Sequence, residues 1–255
     1  MSEEEKGPNE EYADWKAPEN NNTSKDVSRR SFLKSMGLIG LGMTVEKSLP
    51  KTVVEAAALE TKNRVRPKGE MWELAKPSIA KLEQKFGLKP TDYAIVVNST
   101  NQELYLVKDE EIIKSYPVST AKKGIGSSKG SEQTPWGTHR IKEKFGEGLK
   151  PGQVLRSRQS TKEIVKIETK PVKVPGDYVT TRIMWLDGQE NEVNKGGNKD
   201  SHQRFIYIHG TPEEGFIGTP ASHGCVRMKN TDVAELFDLV PPGTLVEIQR
   251  DMSQF

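Results

Sequence analysis

From Tyr93 onward the apolar residues come in blocks about five long, broken by glycine, proline and short polar clusters. Blocks of that length, bounded by such breakers, favour strands. Tyr93-Ala94-Ile95-Val96-Val97 reads as a buried strand. Glu103–Val107 pairs with it across residues 98–102, and Ile112–Val118 continues the meander. Further extended runs follow Thr134-Pro135-Trp136-Gly137-Thr138-His139 and occupy Lys162–Thr169, Tyr178–Leu186 and Arg204–Ile208. Near the carboxyl end Val233, Leu236, Phe237 and Val240 recur at i, i+3, i+4 and i+7, so one helix is predicted there, with Asn230 or Thr231 as its cap. Pro241-Pro242-Gly243 ends it, and Thr244–Ile248 is a last strand. The expectation is a mostly β domain over about 91–250, barrel-like or two-sheeted.

Ahead of that domain, residues 61–90 read as a linker and a short helical lead-in. Trp72, Ile79, Leu82 and Phe86 form its stripe, Pro77 interrupts it and Gly87 closes it. Residues 1–60 read as an address. The first 27 are polar and acidic and have nothing to bury. Ser28-Arg29-Arg30-Ser31-Phe32-Leu33-Lys34 then leads into the apolar run Met36–Val45. A membrane-spanning helix needs about 20 residues, so this run is too short to span, but paired arginines before it fit a secretory signal. The stretch resembles the twin-arginine signal of bacteria, which implies export to the periplasm or cell envelope. Ala56-Ala57-Ala58 offers a cleavage region, and an uncleaved signal would tether the domain to the membrane.

Charge is nearly balanced, with 38 basic and 36 acidic side chains. No basic stripe with interleaved aromatics appears, so nucleic acid is not expected as a partner. A single cysteine, Cys225, forbids an intramolecular disulfide and leaves burial, an intermolecular crosslink or a nucleophile.

Its neighbours favour chemistry. Cys225 sits in Ser222-His223-Gly224-Cys225-Val226-Arg227, and His209 lies fourteen residues before His223. A free thiol has a pKa of about 8.5 and reacts as its thiolate, so a histidine in contact can take the proton and hold an ion pair. His209 follows the strand Arg204–Ile208 and precedes Gly210-Thr211, which puts it at a sheet end. Gly224 permits a positive φ, so that successive N–H groups can point at one spot and form an oxyanion hole. Arg227 can anchor a carboxylate or lock the loop. A cysteine near His202, His209 and His223 also invites a zinc reading, but the His223-Gly224-Cys225 spacing is too tight for a structural knuckle. His139 and His202 are expected to face solvent. Trp136 and Trp185 either line a groove or fill the core, and residues 187–203 read as an exposed excursion.

The run from Ile208-His209-Gly210-Thr211 through Ser222-His223-Gly224-Cys225-Val226-Arg227-Met228 resembles the catalytic signature of the L,D-transpeptidases that remodel bacterial peptidoglycan, the YkuD-like domain. Thr134-Pro135-Trp136-Gly137 is similar to that family's Thr-Pro-x-Gly element, and the likeness covers about 92–249. Family descriptions place Asn after the arginine, where this chain has Met228.

The resemblance implies a β-sandwich with one or two short helices packed against it. It implies Cys225 as nucleophile, His209 as base and later acid, and the Gly210 carbonyl as the group that orients His209. His223 would help shape the site, Gly224 and Cys225 amides would form the oxyanion hole, and Arg227 would steady the loop or meet the donor. Ser222, Thr211 and Trp136 are the expected substrate contacts, and some part of 176–203 is the expected flap. No metal or organic cofactor is required. The implied partners are peptidoglycan stem peptides as donor and acceptor, with carbapenem β-lactams as covalent inhibitors. A 3→3 crosslink is the expected product; water as acceptor would make the protein an L,D-carboxypeptidase, and a protein lysine would make it an anchoring enzyme. A non-catalytic wall-binding module is the alternative outside enzymology.

Overall fold

The computed structural model describes residues 66–250, within the second of the two units into which the chain divides, Val65–Phe255. The Arg29-Arg30 pair expected to be a signal, the apolar run after it and the Ala56–Ala58 region lie outside the described residues. Helix α1 (Lys68–Phe86) comes first. The strands follow as β1 (Ala94–Asn98), β2 (Glu103–Lys108), β3 (Glu111–Pro117), β4 (Gly137–Phe145), β5 (Gln153–Arg156), β6 (Gln159–Ile164), β7 (Val179–Gly188), β8 (Tyr207–Gly210) and β9 (Val226–Met228). Helix α2 (Asn230–Leu239) and β10 (Leu245–Ile248) complete the order.

The strands join in the order β3-β2-β1-β10-β4-β7-β5-β6, and β8 pairs with both β7 and β9. The β1–β2–β3 meander pairs as the sequence pattern requires, with Val97 opposite Leu104. Two pairs are parallel, β1 with β10 and β8 with β9. Strand β7 is the branch point, because its ten residues contact β4, β5 and β8. The architecture is mostly β with two helices packed on it, as expected.

Alternation along the strands divides the apolar residues between faces. Ile95, Val97, Leu104, Leu106, Met184, Leu186, Ile208, Val226 and Met228 meet α2 through Val233, Leu236 and Phe237 in the main core. On the opposite face of the meander, Ala94, Val96, Tyr105 and Val107 pack against Met71, Ala75, Ile79 and Leu82 of α1. That contact explains why Pro77 does not interrupt α1. A proline inside a helix costs about 3 kcal/mol, and the buried stripe on both sides of it outweighs the loss.

Several expectations are corrected. His139 is fully buried on β4, where Nδ1 meets the Gly137 carbonyl and Nε2 meets Ser201 Oγ, both at 2.9 Å. His202 stacks on Trp185 with ring centroids 3.9 Å apart. Residues 187–203 are no mere excursion: Asn194 and Ser201 are buried, and Asn194 Nδ2 donates to the Trp136 and Thr138 carbonyls. These polar side chains cap the β4 end that period-based reading leaves open. Strand β6 stops at Ile164, short of the predicted Thr169.

The predicted cap of α2 also differs. Lys229 holds the N-cap position, and Asn230 becomes a buried hub between elements. Its Oδ1 accepts from Thr180 and Thr181 hydroxyls and, at 3.3 Å, from the Gly152 amide. Its Nδ2 donates to the Thr211 carbonyl and to Glu214. Replacing a hub of this kind strands several buried groups, each worth about 1–3 kcal/mol when unpaired. Asn230→Ala is therefore expected to lower unfolding free energy by about 3–5 kcal/mol, read from urea denaturation; a loss under about 1 kcal/mol would contradict the hub.

Candidate active site

Strands β8 and β9 run parallel, with Ile208 opposite Val226 and His209 opposite Arg227. Paired residues in such a ladder share a face, and successive residues alternate. Ile208, Val226 and Met228 enter the main core. Tyr207, His209, Cys225 and Arg227 are thereby turned to the other face, where Cys225 packs beside Leu155, Ile183, Trp185 and Tyr207. The backbone brings His209 and Cys225 to one surface without any help from their side chains.

Gly210 is held by space. A Cβ there would lie 2.7 Å from the Thr180 carbonyl oxygen and 2.8 Å from Asn230 Oδ1. Because the strand fits so closely, the Gly210 carbonyl meets His209 Nδ1 at 2.7 Å. A carbonyl can only accept, so Nδ1 carries the proton and Nε2 keeps its lone pair free to act as a base. Burial depresses the His209 pKa to about 4, Arg227 adds to the effect, and the Gly210 bond and Asp177 offset part of it.

The thiol is half-buried. Its sulfur accepts from the Tyr207 amide at 3.4 Å and donates to the Phe205 carbonyl at 3.5 Å. Burial pushes its pKa up to about 11; the Tyr207 N–H, Arg227 and Arg204 pull the other way. Both shifts favour the neutral forms, thiol and imidazole, over the ion pair that the sequence suggested.

Arg227 is almost fully buried beside this pair. One terminal nitrogen meets Glu213 at 3.0 Å and the other meets Asp177 at 2.5 Å. Asp177 also bonds His223 Nδ1 at 3.0 Å. Burial would raise the Asp177 pKa, but Arg227 and His223 hold it below the ordinary carboxylate range. Glu213 in turn accepts from Lys173 and from the Val174 amide. Sequence reasoning missed Asp177 and Glu213. The available signal was indirect: an arginine between two core-facing residues, Val226 and Met228, has to find carboxylates.

The turn ahead of the cysteine is built from small groups. Gly224 has φ +134°, which an L side chain rarely adopts. Ser222 is buried; its hydroxyl donates to the Cys225 carbonyl at 2.6 Å and accepts from the Gly224 amide at 3.2 Å. Arg204 closes the turn from behind. Its guanidinium donates to the Gly126, Ser127 and Gln133 carbonyls and lies 4.0 Å from where a Gly224 Cβ would stand.

The expected substrate contacts fare differently. Thr211 is buried, with its hydroxyl accepting from the Glu213 amide, so it braces the strand end. Ser222 is likewise committed inside the turn. Trp136 sits at the start of β4 under the Arg250 guanidinium, 5.1 Å from its ring centroid. His223 is more than half exposed.

Residues 92–248 match the model of the L,D-transpeptidase catalytic domain, YkuD. The chain belongs to this family. Among curated relatives, YkuD of Bacillus subtilis (strain 168), named as an L,D-transpeptidase, is 54% identical over 43 residues, which are 17% of this chain and 26% of that protein. YqjB of the same organism, similarly named, is 42% identical over 57 residues, 22% of this chain and 32% of its own length. The chain thus spans a third or less of the length of these relatives. A solved L,D-transpeptidase from Mycobacterium smegmatis is 21% identical, with a TM-score of 0.37 over 62% of this chain and 58% of that one.

A neutral resting pair in this L,D-transpeptidase domain has a measurable signature. Alkylation of Cys225 by iodoacetamide is expected to rise with pH toward about 11, because only deprotonation exposes the nucleophile. A plateau at about pH 5–7 would instead report a preformed thiolate–imidazolium pair.

Proposed function

We propose that the protein is a cysteine-dependent L,D-transpeptidase acting on peptidoglycan tetrapeptide stems. The observation that carries this reading is the shared face of His209 and Cys225, with the proton on His209 fixed at Nδ1. Nε2 of His209 takes the thiol proton as Cys225 Sγ attacks the carbonyl of the third stem residue, a diamino acid. The tetrahedral oxyanion forms near the Gly224 and Cys225 amides. The Gly224 amide already leans on Ser222 Oγ, so it must turn from the hydroxyl to the oxyanion as charge develops. Collapse breaks the peptide bond, His209 returns the proton to the leaving amine, and D-alanine departs from a thioester. An amine of a neighbouring stem, deprotonated by His209, attacks the thioester, restores the thiol and leaves a 3→3 crosslink.

Arg227, neutralised by Asp177 and Glu213, steadies the strand instead of meeting the donor, and His223 holds Asp177 in place. Carbapenems acylate the same thiol through their strained lactam carbonyl. The Arg29-Arg30 leader directs the chain through the twin-arginine route to the periplasm or cell envelope; Arg29→Lys with Arg30→Lys should keep an exported reporter fusion in the cytoplasm, and unchanged export would refute the route.

Intact mass of the protein incubated with a disaccharide-tetrapeptide tests the chemistry. Wild type should gain the acyl mass, release D-alanine and form a dimeric muropeptide. Cys225→Ala should gain nothing, and His209→Gln should acylate about 10²–10⁴-fold more slowly. Tripeptide alone as product would favour the L,D-carboxypeptidase, and a folded wild type with no adduct would favour a binding module.

A further inference from the structure

Against the aromatic cluster that packs with Cys225 lies a cation that the chemistry above does not use. Strands β5 and β6 are joined by a two-residue turn, with Arg156 paired to Gln159 across Ser157 and Arg158. Both turn residues have positive φ, 49° and 68°, a geometry that hairpins usually give to Asn and Gly. The strained turn aims Arg158 onto an aromatic ledge. Its guanidinium lies 4.5 Å from the Trp185 ring centroid and 5.6 Å from that of Phe205, and donates to the Tyr207 hydroxyl at 3.3 Å.

The ledge is continuous with the nucleophile. Tyr207 gives its amide to Cys225 Sγ, and the thiol points at the Phe205 carbonyl. Phe205 is itself anomalous, since it is 52% exposed and has φ 56°, a bulky residue in a left-handed conformation. His202 stacked on Trp185 makes the ledge rigid. Charge completes the picture. Arg156 is paired with Glu163, whereas among the described residues no carboxylate forms an ion pair with Arg158.

The geometry points to Arg158, held by Trp185, Phe205 and Tyr207, as the carboxylate-binding subsite for the acyl donor. The inference rests on the acyl-transfer reading of Cys225 for the identity of the donor. A planar guanidinium stacked on aromatics presents its remaining N–H donors edge-on, the arrangement that receives a carboxylate. Two carboxylates of the donor stem share that chemistry, the terminal one on the leaving D-alanine and the one on the side chain of the diamino acid. The ledge also explains why an aromatic side chain is left in water: Phe205 supplies an apolar floor beneath the donor backbone next to the scissile bond.

Binding isolates the subsite from the chemistry. Full-length Cys225→Ala protein, which cannot be acylated, is titrated calorimetrically with three tetrapeptides: the free acid, the terminal amide and the side-chain amide. The same titrations are run on Cys225→Ala with Arg158→Gln and with Arg158→Lys. Arg158→Gln is expected to weaken free-acid binding about 10–100-fold, the loss of one charged hydrogen-bonding pair, and Arg158→Lys to restore part of it. The peptide amidated at the recognised carboxylate should bind all three proteins equally weakly, which also says which carboxylate is read. Equal losses on every peptide would mark Arg158 as a structural brace and overturn the proposal, as would no loss at all or no measurable binding of the free acid. Turnover by the wild type reports on the acyl-transfer reading separately: binding that depends on Arg158 without turnover would sink the chemistry and keep the subsite.

Discussion

The parallel pairing of β8 with β9 is the constraint on which the site depends. Ile208, Val226 and Met228 are drawn into the main core, and alternation then leaves no other face for Tyr207, His209, Cys225 and Arg227. A one-residue slip would bury the thiol and expose the core. Hydrophobic burial therefore sets the register of His209 and Cys225, and the candidate site inherits its geometry from a core on the opposite face. Gly210 enforces the same register from the side, since no larger residue fits between Thr180 and Asn230.

Placing Arg227 on that face has a consequence for the neighbouring chain. A buried guanidinium is costly unless it is paired, and its partners come from two distant segments, Asp177 before β7 and Glu213 after β8. The residues that run between Glu168 and Asp177 are consequently fastened across the end of β8, with the Glu168 amide on the Pro212 carbonyl and the Val174 amide on Glu213. Part of this strap falls before the 176–203 stretch expected to form the flap. The ion cluster thus sets both the strand and the chain that overlies it.

Local pattern carried far into both the fold and the site. Strands β1 to β3, β7 and β10 and helix α2 were legible because period 2 and period 3.6 are short-range signals, whereas β8 runs Tyr207–Gly210 instead of the expected Arg204–Ile208 and so holds His209 within the strand. His209 and Cys225 were legible because their motif lies within one stretch of chain. What escaped was long-range. Pro77 is a helix breaker by propensity, and only the contact of α1 with β1 and β2 overrides it. His139 looks like a surface residue until Ser201, sixty-two positions later, closes over it. Asp177, Glu213, Arg158 and Arg204 are ordinary charged residues in sequence, and only the fold gives them their partners.

The electrostatics of the surrounding charged groups bear on how a thiol this reluctant to ionise can act. Arg227 stands close and favours the thiolate, but it is paired with Asp177 and Glu213, and Asp177 itself disfavours the thiolate. Arg204 is different in kind. Its partners are neutral carbonyls, so its charge is uncompensated within that contact set and is felt at Cys225. The Tyr207 N–H, Arg227 and Arg204 favour the thiolate in that order, and Asp177 opposes them. None of them outweighs burial at the resting thiol, and in the proposed acyl transfer they are already oriented when His209 Nε2 receives the proton. In the proposed acyl transfer a protonated thiol waits at rest and the anion is stabilised only as it forms, which is where preorganised dipoles contribute most to a rate.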